Sequence, residues 1–197
     1  HVSTATILFA DDFELPHWTP QNAGWEKPFD LSPLELSSTR VYSGSYAAQA
    51  DLSETVTVRG LRKQTGVNWD DVYVRWFTYY DFRFQWPNAE RSNPSGLFFK
   101  TQNASPSPTA PTWHLYGPNT GFPMNLGTVT IQPERWYCLE LHIKRGGPGT
   151  AVFEGWVDDI QKWDYRQNID LGTLPIQSLE LVSAENVTPL VQETQWI

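Results

Sequence analysis

The chain has 197 residues and a formal net charge of −8, with 40% hydrophobic, 18% charged and 14% aromatic residues, ten of them tryptophan. That acidity argues against a sequence-independent nucleic-acid binder, which needs a basic stripe to displace counterions, and no stretch is apolar for long enough to cross a bilayer as a helix. The single Cys138 excludes an internal disulfide and a cysteine-rich zinc site, and a small buried hydrophobe is the plain reading of it.

No 3.6-residue apolar period persists over three turns, so no helix of ordinary length is expected. Short β-like runs recur instead between Gly, Pro, Asn and Ser clusters. In chain order they are Ile7–Glu14, Tyr46–Ala50, Thr55–Leu61, Val72–Phe82, Leu97–Thr101, Thr112–Tyr116, Thr128–Gln132, Trp136–Lys144, Ala151–Val157, Ser178–Ser183 and Gln192–Ile197. Arg145-Gly-Gly-Pro-Gly149 reads as a hairpin loop, and Asp158 with Asp159 reads as a turn. Three longer proline-bearing loops, Thr19–Ser37, Gln85–Ser95 and Gln102–Pro111, have the length of binding rims. With no repeat, linker or composition break, the pattern predicts an all-β fold: one domain over 1–197, a two-sheet antiparallel jelly roll.

Five of the runs alternate strictly, so each has one face to bury and one to leave out. The second faces carry Tyr73, Arg75 and Tyr79; Lys100 and Gln102; His114 and Tyr116; Trp136, Glu140, His142 and Lys144; Glu154 and Trp156. If the five strands share a sheet, these groups pool on one surface. A merely solvated face would use more Ser, Thr, Lys and Glu and gather fewer rings. Flat rings stack on the apolar faces of pyranoses while Arg, Gln and Glu bond hydroxyls or carboxylates, so the pooled face suits a polysaccharide groove.

Elimination from a uronate needs a cation on the carboxylate, a base for the C5 proton and an acid for the leaving oxygen. Arg75, Lys100 or Gln102 could serve the first need, and His114, His142, Tyr116 or Tyr79 the others. Hydrolysis needs two carboxyl groups about 5–10 Å apart; Glu140 and Glu154 share the face but belong to different runs, which fits less well. Asp11, Asp12 and Glu14 cluster near the start, where calcium could find hard oxygen ligands or an acidic strand could simply be solvated.

The order of segments is itself distinctive. Asp11-Asp-Phe-Glu14 is followed by Val41-Tyr-Ser-Gly-Ser45, Asp71-Val-Tyr-Val-Arg75, Arg135-Trp-Tyr-Cys-Leu-Glu-Leu-His142, Phe153-Glu-Gly-Trp-Val-Asp158 and a closing Gln195-Trp-Ile197. It resembles the concanavalin A-like jelly rolls of the glucuronan lyase type, including the related cellulose-induced secreted proteins.

The resemblance implies an extracellular protein whose partner is a polysaccharide held in a groove across the concave sheet, with the five alternating runs on that sheet. It implies a structural calcium bound by Glu14 and the turn from Ser43 to Tyr46. Where lyases of this kind show a Gln-x-His strand, the nearest elements here are Gln102 and His114, on separate segments. The expected roles are Arg75 and Lys100 on the carboxylate, His114 or His142 as base, and Tyr116 as acid. Tyr73, Tyr79, Trp136 and Trp156 would stack on sugar rings, and Gln102, Glu140 and Glu154 would bond hydroxyls. The alternative is a non-catalytic carbohydrate-binding or lectin-like module.

Overall fold

The described residues form twelve strands, β1 to β12. In order they are Glu35–Ser37, Ala47–Asp51, Val58–Trp69, Asp71–Tyr80, Phe98–Asn103, Pro111–Tyr116, Met124–Thr130, Arg135–Lys144, Val152–Val157, Ile160–Tyr165, Ile176–Glu185 and Thr194–Trp196. They come from a computed structural model that describes residues 7, 9–25, 35–51, 58–80, 98–103, 111–116, 124–130, 132, 134–166, 169–171, 176–185 and 194–196. Among the described residues no helix is long and apolar enough to cross a membrane.

Seven strands make one antiparallel sheet in the order β1-β2-β12-β4-β8-β9-β10. The remaining five form a β11-β3 pair and a β5-β6-β7 meander. β11 approaches β5, and β7 approaches β10, to within 8 Å between Cα atoms.

The core lies on one face of the seven-stranded sheet. Val72 of β4, Tyr137, Leu139, Leu141 and Ile143 of β8, Phe153 and Val157 of β9, and Trp163 of β10 are all buried there. Burying a side chain of this size contributes about 1.5–3 kcal/mol, and these residues supply the alternation that defines the strands. Gly155 of β9 belongs to the same face: a Cβ on it would lie 2.3 Å from Cε3 of Trp163 and 3.1 Å from Cδ2 of Leu141. The indole fills the space that the missing side chain leaves.

Trp18 and Trp25, in the segment before β1, close over this core at 6% and 5% exposure. The Asp11 carboxylate ties them down. Trp25 Nε1 donates to Oδ2 at 2.5 Å and Trp18 Nε1 donates to the same oxygen at 3.0 Å. The 7–14 run was expected as a strand, and its described residues are not one. Asp11 Oδ1 instead accepts the Phe13 N–H and Asp12 Oδ1 the Glu14 N–H, and Phe13 has a φ of 62°. Side-chain carboxylates offer the backbone a turn in place of a ladder, and the turn wins here.

Two strands were not read from the sequence. Glu35–Ser37 is a short edge pairing with β2. Ile160–Tyr165 pairs with β9 through a two-residue loop, with Asp158 and Asp159 at φ values of 52° and 63°, as a tight hairpin requires. Asp158 Oδ1 also accepts the Cys138 N–H at 2.9 Å, and its other oxygen pairs with Arg135. The turn is therefore fastened to β8 as well.

Candidate functional site

The five alternating runs do not share one sheet. β4, β8 and β9 are neighbours in the seven-stranded sheet, whereas β5 and β6 pair in the three-stranded one. Tyr73, Arg75, Tyr79, Trp136, Glu140, His142, Glu154 and Trp156 stand on one sheet, and Lys100, Gln102, His114 and Tyr116 on the other. Alternation fixes which side of its own strand a residue takes, but strand partnership is a long-range property that parity does not encode.

On the seven-stranded sheet, register turns the second face into cross-strand rows. Tyr73 is opposite His142, which is opposite Glu154, which is opposite Asp164; Arg75, Glu140, Trp156 and Gln161 form the next row; Phe77 with Cys138 and Tyr79 with Trp136 complete the series. His142 is 9% exposed and both its ring nitrogens face carboxylates: Nδ1 lies 2.7 Å from Glu154 Oε2 and Nε2 lies 2.7 Å from Asp71 Oδ1. Both contacts are hydrogen bonds only when both nitrogens carry hydrogen. Glu154 also pairs through its second oxygen with Arg166, whose Nε bonds Asp164 Oδ1 at 2.7 Å. So the expected base His142 has no free nitrogen in this arrangement; it holds a network together.

Tyr73 stacks on His142 with ring centroids 4.1 Å apart and planes within 4°. The ring remains 56% exposed. Its phenol is held above the usual tyrosine value, first by desolvation and then by the negative charges of Glu154, Asp71 and Glu140. Arg75 donates from Nε to Cys138 Sγ at 3.2 Å, and its guanidinium reaches Asp159 at 3.5 Å and Glu140 at 4.0 Å. These partners, the Cys138 contact foremost, keep it firmly cationic.

Tyr79 differs from expectation. It is buried with Ala47 against Trp136, and Arg40 sits over its ring at 5.6 Å, so it offers no open platform. The reason is the 38–46 segment, which crosses this end of the face. Its Tyr42 stacks on Phe77 at 3.9 Å with planes 20° apart and touches Trp136 edge-on. Tyr42, Phe77, Asp71 and Arg166 are the members of this face that sequence reasoning missed. Phe77 had the right parity but reads as a core residue, and the other three are brought in by register and by the turn.

On the three-stranded sheet Lys100 is directly opposite His114, and His114 is opposite Asn125 of β7. Gln102 is opposite Thr112, and Tyr116 is opposite Phe98. A cation, an imidazole and an amide thus occupy one cross-strand row, with Tyr116 two positions along the strand from His114. The loops 85–95 and 104–110 lie outside the described residues.

Glu14 occupies the turn expected to bind calcium. Its Oε1 accepts the N–H groups of Ser45 at 2.7 Å and Tyr46 at 2.9 Å. Gly44 has a φ of +76°, and a Cβ on it would come within 2.4 Å of that oxygen, so glycine lets the carboxylate lie flat against the turn. Among the described residues no group of three His, Cys, Asp or Glu side chains converges to hold a metal.

No protein-family model matches this chain, and no curated protein sequence matches it. Solved structures do. The chain is similar to the endo-beta-1,4-glucuronan lyase from the fungus Trichoderma reesei at 13% identity and a TM-score of 0.56, over 87% of this chain and 86% of that one. It is similar to the cellulose induced protein Cip1 at 18% identity and a TM-score of 0.61, over 94% and 92% of the two chains. Alginate lyase Aly36B superposes at 8% identity with a TM-score of 0.54, over 79% of each. The fold is therefore the concanavalin A-like jelly roll, all-β and antiparallel.

Proposed function

We propose that this is an extracellular polysaccharide-active protein, one domain over 1–197, acting as a lyase on a uronate-containing chain by β-elimination. The observation that carries the reading is the row on β5 and β6, where Lys100 and His114 are direct register partners in a fold that superposes on polysaccharide lyases. In this reading Lys100, with Gln102, neutralises the uronate carboxylate and so acidifies the C5 proton. His114 removes that proton; the electron pair forms the C4–C5 double bond as the C4–oxygen bond breaks; Tyr116 protonates the departing oxygen. Arg75 and His142, once candidates for the same chemistry, stand on the other sheet and take no part.

The test is incubation of the protein with a panel of polyuronates, followed by the ultraviolet absorbance of the unsaturated product. The expected result is a signal on at least one polymer that falls by about 100-fold or more in His114→Ala, the lower range for losing a general base. Silence across the panel removes the lyase reading. A calcium ion at Glu14 Oε2 belongs to the same proposal as a structural element.

A non-catalytic carbohydrate-binding module is the second reading. It is favoured by one observation: both nitrogens of His142 are committed to carboxylates, as suits a face that holds a ligand and does no proton transfer.

A further inference from the structure

We infer that the outer face of the seven-stranded sheet is a second glycan surface, separate from the Lys100–His114 row, and that it takes a neutral polysaccharide presenting flat apolar ring faces. The argument starts from ring presentation. Two large rings stand exposed on this face, Tyr42 at 53% and Tyr73 at 56%. Each is backed by a second ring lying nearly parallel to it, Phe77 at 3.9 Å and His142 at 4.1 Å. A ring supported on one side loses little freedom when a sugar covers the other, which lowers the entropic cost of binding.

Spacing comes next. Tyr73 and Phe77 are four residues apart on β4, about 13 Å along the strand at roughly 3.3 Å per residue. Arg75 lies between them on the same side of the strand. The order along β4 is thus ring, guanidinium, ring, the layout for a chain that runs along the strand and stacks at two points while its hydroxyls are bonded between them.

Charge selects the class of glycan. Around the two rings stand the carboxylates of Asp71, Glu140, Glu154, Asp159 and Asp164 and the cationic Arg75, Lys144 and Arg166. Both guanidiniums are already paired, Arg75 with Glu140 and Asp159, Arg166 with Glu154 and Asp164. With Arg40 over the Tyr79 ring, a polyuronate would still meet five carboxylates against four cations, two of which, Arg75 and Arg166, are already paired. A neutral chain loses nothing to that repulsion and gains hydroxyl bonds from the exposed carboxylates of Asp159 and Asp71.

The experiment measures depletion of the 197-residue chain onto insoluble cellulose and insoluble neutral mannan, with polyuronate retention in affinity electrophoresis as the contrast. The expected outcome is binding to at least one neutral polymer. Tyr42→Ala and Tyr73→Ala should each weaken it about tenfold, the loss of one aromatic anchor. Tyr73→Phe keeps the ring and should bind within about twofold of the parent. Thermal melting of each variant establishes that it is folded; should Tyr42→Ala fail to fold, Tyr73→Ala against Tyr73→Phe decides alone. No depletion onto either polymer, or binding by Tyr73→Ala equal to that of Tyr73→Phe, overturns the inference. His114→Ala separates the two proposals: it should abolish uronate cleavage and bind neutral glycan like the parent. Cleavage without neutral-glycan binding defeats this inference alone, and binding without cleavage defeats the lyase reading alone.

Discussion

Removing the Asp11 carboxylate should unseat the lid of the core. Asp11→Ala deletes the acceptor of two buried indoles, Trp25 Nε1 at 2.5 Å and Trp18 Nε1 at 3.0 Å, and of the Phe13 N–H at 2.9 Å. Both indoles are about 95% buried, so neither N–H has bulk water as an alternative. A hydrogen bond to a charged partner contributes about 1.5–3 kcal/mol. Asp11 itself is half-buried and a water can enter the space left by the carboxylate, which places each loss at the low end. Two such bonds give a destabilisation of about 3 kcal/mol, or a fall in Tm of about 6–12 °C for a domain of this size. Asp11→Asn retains one acceptor oxygen and should recover about half of that. The assay is thermal and urea unfolding followed by tryptophan fluorescence. An Asp11→Ala variant within about 1 kcal/mol of the parent would refute the argument, because it would mean that the indole N–H groups find other partners at no cost.

Three further outcomes are expected. Gly155→Ala should cost about 3 kcal/mol, since the new Cβ must displace a buried Trp163 ring 2.3 Å away, while Gly147→Ala, with nothing within 4 Å, should be neutral; urea midpoints compare the pair. Tyr137 is held above its ordinary value of 10.0, mainly by burial, so the unfolded chain ionises first. The stability it confers is complete below pH 10 and declines as pH rises above 10 toward the folded value; Tyr137→Phe should flatten that alkaline decline, read from unfolding midpoints against pH. Calcium should raise the Tm of the parent but not of Glu14→Gln, and equal melting in calcium and in chelator would leave the Glu14 turn held by its two N–H bonds alone.

Much of the seven-stranded sheet was legible in the sequence, because its strongest strands obey the period of two. In β8 the set Tyr137, Leu139, Leu141 and Ile143 was assigned to the core and is buried there. Yet the observed burial of β8 is not a clean alternation, since Cys138 and His142 on its other side are also buried. Their cover comes from Arg75 and Tyr73 across the β4–β8 register, a contact between residues more than 60 positions apart. Local pattern cannot carry that information. The acidic start shows the opposite failure: Ile7–Glu14 has strand-like composition, but two aspartates outcompete the ladder with their own side chains. β10 escaped because a bulge between Gln161 and Trp163 breaks its alternation.

The two histidines show why residue type and parity set candidates but not roles. His114 and His142 both lie between apolar neighbours in alternating runs, and each was an equally good base. What separates them is the row each enters. Asp71 sits opposite Lys144, two positions along β8 from His142, and Glu154 sits directly opposite His142 on β9. A histidine placed there meets a carboxylate at each nitrogen and is covered by Tyr73. The row of His114 holds Lys100 and Asn125, a cation and an amide with no carboxylate among them. The difference between the two histidines thus follows from which residues register sets opposite each of them.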